Sequence, residues 1–175
     1  MERPAPSAAA ERTIRLAGFD RDGIADGPGL RCVVFVQGCP HHCPGCQNPQ
    51  TWDFDADVEV TTPSDLRRRI EETVFDTGVT FSGGEPFSQP DALADLAEML
   101  RPRYDVASYT GYTFEELDGD AQKLLDNVDV LIDGEFVESL RDLELIFRGS
   151  SNQRIIDVKK SREQKKIVPW ALIGG

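Results

Sequence analysis

The sequence runs to 175 residues, 39% of them hydrophobic, with a formal net charge of −12, which suits one domain with a sizeable core. That charge argues against a general affinity for nucleic acid or anionic lipid. No apolar run reaches the roughly 20 residues of a membrane span. The acidity reads as a solvated surface or as adaptation to a salty cytoplasm, and composition leaves both open.

Residues 1–12, rich in Ala and Pro, lack the basic start and long apolar run of a secretory signal. They are expected to form a flexible tail, ahead of a domain over 13–160 and a C-terminal tail over 161–175. This places the protein in the cytoplasm, where thiols stay reduced. Residues 30–36 (LRCVVFV) form a nearly continuous apolar, β-branched run, as in a strand buried on both faces. A Cys-rich loop follows, then an acidic irregular stretch to Thr62. Thr62, Pro63 and Asp65 open a helix well, with Leu66, Ile70 and Val74 on one face. Residues 79–81 read as a short strand ending in the turn Ser82-Gly83-Gly84-Glu85-Pro86. Leu93, Leu96, Ala97 and Leu100 give the next helical face, and 104–109 the next strand. Thr113 and Glu116 form a capping-box pair ahead of a helix carrying Leu117, Ala121, Leu124 and Leu125. Residues 128–132 are another strand, and 154–158 one more.

Strands alternating with helices imply an α/β fold built of parallel βαβ units. Four or five strands are too few for an eightfold barrel of about 250 residues. The expectation is a partial (incomplete) β/α barrel or a curved parallel sheet. Sites in such folds gather at the C-terminal ends of the strands. The Cys loop and the Gly-Gly turn both follow strands, so they should share one face.

Three of the four Cys fall in Cys39-Pro-His-His-Cys43-Pro-Gly-Cys46. Thiolates are soft ligands that suit iron–sulfur clusters or zinc. A cubane held by protein alone takes four Cys, so three leave one iron open, free to be chelated by the amino and carboxylate groups of S-adenosylmethionine (SAM). The competing reading of the spacing is a structural zinc site completed by His41 or His42. Cys32, inside the first strand, reads as a buried structural thiol.

The Cys loop followed some forty residues later by the Gly-Gly turn resembles the radical SAM superfamily, whose GGEP-like turn contacts the SAM amino group. The resemblance sharpens over Asp26-Gly27-Pro28-Gly29-Leu30-Arg31, Gln37-Gly38-Cys39, Asn48-Pro49-Gln50-Thr51 and, most discriminating, 147–158 (FRGSSNQRIIDV). Together these are similar to the activating proteins of anaerobic ribonucleoside-triphosphate reductases, over roughly residues 14–160. The resemblance implies a radical SAM fold and a glycyl-radical activase. Such an enzyme reductively cleaves SAM and abstracts a hydrogen atom from a glycine of the large reductase subunit, its partner. It draws on a low-potential electron donor. It further implies a 4Fe-4S cluster on Cys39, Cys43 and Cys46, and SAM contacts from Gly45, Cys46, Gln47, Gly83, Gly84 and Glu85. Gly45 departs from the superfamily, where many members carry an aromatic residue against the adenine. Asp133, ending a strand at the expected face, is a candidate for the SAM ribose, with a helix or turn cap as the competing role. Arg148 and Arg154 stand as candidates for SAM or the reductase, or for pairing with surface acids. Four of the five Lys, at 159, 160, 165 and 166, lie in one stretch that reads as solvated. The competing functions are a pyruvate formate-lyase-type activase, a small radical SAM enzyme of deazapurine synthesis, and a zinc-binding or electron-transfer module.

Overall fold

A computed structural model describes residues 11–73, 76–101 and 103–171; Val74 and most of the N-terminal stretch lie outside them. The elements run β1 (Ile14–Gly23), β2 (Arg31–Val36), β3 (Glu59–Thr61), α1 (Pro63–Glu71), β4 (Gly78–Gly83), α2 (Pro90–Leu100), β5 (Asp105–Tyr109), α3 (Ala121–Leu125), β6 (Val130–Asp133), β7 (Arg154–Asp157) and α4 (Val158–Gln164). They form one open sheet of order β3-β1-β2-β4-β5-β6-β7. The four central strands are parallel, as expected. Outside them, β1 runs antiparallel to β2 and β3, and β7 antiparallel to β6. Among the described residues the sheet thus has seven strands rather than four or five.

Period-two alternation sorts the strand side chains. Cys32, Val34 and Val36 of β2, Val79 and Phe81 of β4, Val106 of β5 and Leu131 of β6 join one core with Leu66, Ile70, Leu93, Leu96 and Leu124 of the helices. Ala107, Val130, Ile132 and Ile155 point the other way, under Tyr109, Phe147 and Trp170. The α1 cap forms as the sequence predicts, the Thr62 side chain accepting from Asp65 N at 3.1 Å with Pro63 in the first turn. The next cap has a different outcome. Glu116 accepts from the Thr113 amide at 2.7 Å and hydroxyl at 2.9 Å, but it closes only a 3-10 turn over Phe114–Glu116. Gly119, at φ +53°, breaks the chain before α3, which keeps five residues.

The C-terminal stretch is not a tail over its described length. Asp157 N donates to Val168 O and Trp170 N to Ile155 O, both at 2.9 Å, so residues after α4 return along β7 and cover that edge. The Lys pairs around it hid the apolar Ile167, Val168, Pro169 and Trp170 from a reading by composition.

Candidate functional site

The parallel strands β2 and β4 end side by side, Val36 opposite Gly83. The loops that leave them therefore meet. Gly84 N donates to Val36 O and Glu85 N to Gly38 O, each at 2.8 Å. A side chain would not fit at this crossing: a Cβ on Gly83 would lie 2.5 Å from Val36 N, and one on Gly84 2.3 Å from Gly38 O. The glycines are demanded here by the neighbouring backbone. With the Gly84 and Glu85 amides engaged, the turn can offer a ligand its carbonyl acceptors, which an amino group, a donor, needs.

The Cys loop is braced from the other side. Gly38 N donates to Thr51 O at 2.8 Å and Cys39 N to Trp52 O at 3.1 Å. The buried Gln37 donates to Asp53 O at 2.8 Å. Asn48 N points at the Cys46 sulfur from 3.4 Å, the kind of contact that stabilises a thiolate.

Between these loops lies a cavity of about 320 Å³ whose wall includes Cys39, Cys43, Cys46, Gln47 and the 82–85 turn. All four cysteines are free. Burial is the main influence raising the Cys39 and Cys43 thiols above their ordinary values. Cys32 sits apart on the helix-side core, donating to Asp76 at 2.8 Å. Burial, then Asp76, pushes its thiol up to about 12, which keeps it protonated.

Of the residues singled out in sequence, Gly45 and Asp133 are not on the cavity wall. Gly45, at φ +75°, faces Glu138 and Phe136. Asp133 shares the parity of Leu131 and so falls on the helix side of the sheet. Its side chain, 1% exposed, accepts from Phe114 N at 2.7 Å and from Arg154 Nε at 2.9 Å. Arg154 also pairs with Glu115, and these partners hold its guanidinium above the ordinary value, Asp133 first. Arg148 differs: it lines the cavity, donates to Gln153 O at 3.1 Å and keeps a buried Nε without a partner.

A buried network that sequence reading missed ties the site together. The Glu85 carboxylate, 1% exposed, accepts from Phe87 N at 3.0 Å, Gly111 N at 2.8 Å and His41 Nε2 at 2.9 Å. His41 Nδ1 donates to Glu135 at 3.0 Å. The hydrogen bond to Glu85 is the largest influence raising His41 above the usual imidazole value; burial opposes it. Arg31 was likewise passed over, although an Arg inside an apolar run is itself a signal. Fully buried, it donates to Pro28 O at 2.7 Å and to Thr80 Oγ1 at 2.8 Å, while Thr80 Oγ1 donates to Asp26 O at 2.7 Å. This fixes the β1–β2 loop so that Ala25 and Asp26 reach the cavity wall.

The donor set fits an iron–sulfur cluster better than zinc. Both ring nitrogens of His41 are engaged, and His42 packs on Trp52 with centroids 4.9 Å apart. Among the described residues, no three His, Cys, Asp or Glu side chains converge as a single metal ion requires. A multi-iron cluster takes its thiolates at separate corners and asks for no such point.

The comparisons agree with that chemistry. A protein-family model described as a 4Fe-4S single cluster domain matches residues 25–156; the chain is an iron–sulfur protein of this class. Relatives named anaerobic ribonucleoside-triphosphate reductase-activating protein match most of it. That of Salmonella typhimurium is 40% identical over 141 residues, 74% of this chain and 90% of its own. That of Escherichia coli K12 is 38% identical with the same coverage. That of phage T4 is 34% identical over 139 residues, 75% of this chain and 86% of its own. The chain belongs to the family of anaerobic ribonucleoside-triphosphate reductase-activating proteins.

Proposed function

We propose that this protein activates an anaerobic ribonucleoside-triphosphate reductase by radical SAM chemistry, with Cys39, Cys43 and Cys46 holding the 4Fe-4S cluster and leaving one iron to SAM. The observation that carries the reading is the meeting of three thiols and the Gly-Gly turn on one cavity wall. Bound there, cluster and SAM supply one-electron cleavage of a carbon–sulfur bond and, through it, removal of a hydrogen atom from a glycine of the reductase.

The chain's part is placement and shielding. The carbonyl oxygens of the 82–85 turn receive the SAM amino group, and Gln47 flanks SAM beside Cys46. The buried Glu85 carboxylate holds the His41 and Gly111 loops together at the wall. Gly45 and Asp133 lie off the wall and take no direct part. Trp52, Tyr109, Phe136 and Phe147 line the cavity and exclude water from it. The reductase presents its glycine on a flexible segment, since a residue without a side chain can enter a crowded site. The electron comes from a low-potential donor, and the protein works in the reducing cytoplasm, where three free thiols persist.

The test is anaerobic reconstitution. Wild type takes up about four irons and releases deoxyadenosine with dithionite. Cys39→Ala, Cys43→Ala and Cys46→Ala each lose the cluster or SAM cleavage, while Cys32→Ala keeps both. A colourless wild type binding one zinc, or loss of the cluster through Cys32→Ala alone, overturns the reading.

A further inference from the structure

Six large hydrophobic side chains are exposed among the described residues: Ile24, Phe54, Val60, Leu140, Leu143 and Ile146. Singly exposed apolar residues are ordinary; the placement of these is not. Four of the six fall in two loops, the β1–β2 loop with Ile24 and the β6–β7 loop over 134–153 with the other three. Both loops line the cavity through their next residues, Ala25 and Asp26 in one, Leu145 and Phe147 in the other. The exposed side chains therefore belong to the same two loops that wall the cavity. Leu143 and Ile24 are the most open, at 82% and 77%.

The frame beneath them is fixed. Val137 N donates to Ser150 Oγ at 3.1 Å, Ser151 N to Leu140 O at 2.9 Å and Tyr109 Oη to Phe147 O at 2.8 Å. Arg31 and Thr80 hold the other loop, as described above. Apolar groups held on a rigid frame lose little freedom when a partner covers them. The β6–β7 loop is also acidic, with four acids, Glu135, Glu138, Asp142 and Glu144, to two bases, Arg141 and Arg148.

We propose that this two-sided apolar rim is the docking surface for the glycine-bearing segment of the reductase. The occupant is an extended segment that carries apolar side chains on either side of the glycine and is neutral to basic in charge. Ile24 takes one flank and Leu143 with Ile146 the other, centring the glycine over the cavity. This rests on the proposed function and adds what that reading lacks, a means of recognising the partner outside the cavity.

The test uses reconstituted protein under anaerobic conditions, titrated with the cognate reductase, with SAM cleavage measured separately without reductase. Leu143→Asp and Ile24→Asp each raise the dissociation constant roughly tenfold or more, as loss of an interface anchor does. Deoxyadenosine release by dithionite alone stays at the wild-type rate, and the glycyl radical returns as reductase concentration is raised. Val60→Asp, also exposed but on the edge strand β3, leaves binding unchanged. Wild-type affinity in both rim variants overturns the proposal, as does equal weakening by Val60→Asp. So does a rim variant that only dissociates copies of this chain from one another. Failure of the function itself reads differently: wild type then yields no glycyl radical, whatever its affinity for the reductase.

Discussion

Replacing Glu85 by Gln tests whether this acid supports the site from behind or contacts SAM. The carboxylate accepts from two directions, Phe87 N on Oε1 and both Gly111 N and His41 on Oε2. An amide has only one oxygen to offer. With that oxygen turned toward Gly111, the introduced amide would set its NH2 against the Phe87 N–H; with it turned toward Phe87, the NH2 would face the Gly111 N–H. Either way one buried backbone donor loses its acceptor, at a cost of roughly 1–3 kcal/mol. The bond from His41 loses its charge assistance as well. The net effect is about 2 kcal/mol, or about 4–8 °C in melting temperature for a chain of this size. The assay is thermal unfolding followed by circular dichroism, on protein with and without reconstituted cluster. Deoxyadenosine release falls with it, because the loops carrying His41 and Gly111 lose their common anchor. A melting temperature within about 1 °C of wild type, with only a rise in the SAM concentration needed, refutes the supporting role and makes Glu85 a SAM ligand.

The two arginines separate by the same logic. Arg154→Ala strands the buried Asp133 with one backbone donor and lowers stability by about 2 kcal/mol, less than a fully buried pair because Arg154 is partly exposed. Arg148→Ala leaves the melting temperature near wild type and weakens the SAM dependence of deoxyadenosine release; the reverse pattern would assign their roles the other way. Burial, with Asp20 second, raises the Asp26 carboxyl above its free value, near 3.9. The resulting stabilisation is complete below about pH 3.9 and is lost as pH rises through the folded value. Asp26→Asn therefore raises the melting temperature at pH 7.5 and gains nothing at pH 4, and equal gains at both would count against the burial argument. At a net charge of −12, added potassium chloride raises the melting temperature by screening repulsion, whereas a falling midpoint would show that the exposed ion pairs dominate.

What the sequence could show followed from how local each cause was. The strand β2 and the α2 face were legible because burial on both sides leaves a continuous apolar run, and helical packing a period near four. The strands β1 and β3 were not. In β1 only Ile14 and Leu16 are buried, and in β3 only Thr61, so neither carries a pattern; they are strands because each pairs antiparallel with a distant neighbour. Asp133 was placed at the right strand end, and counting parity back to Ile132 would have turned it to the helix side. The His41–Glu85–Gly111 network joins residues 44 and 26 apart in sequence, a relation no short window contains.

The Gly-Gly turn shows how a recognisable motif can be legible for a reason other than the one first given. The resemblance implies a turn that contacts the SAM amino group. In the fold, Gly83 and Gly84 lack side chains because Val36 and Gly38 lie where a Cβ would be. The Gln37-Gly38-Cys39 step and the 82–85 turn are thus two halves of one crossing between the parallel neighbours β2 and β4. A residue with a Cβ at Gly84 would push Gly38 away, and with it the amide of Cys39. The motif some forty residues downstream belongs with the cysteines because it sets where the first thiol stands.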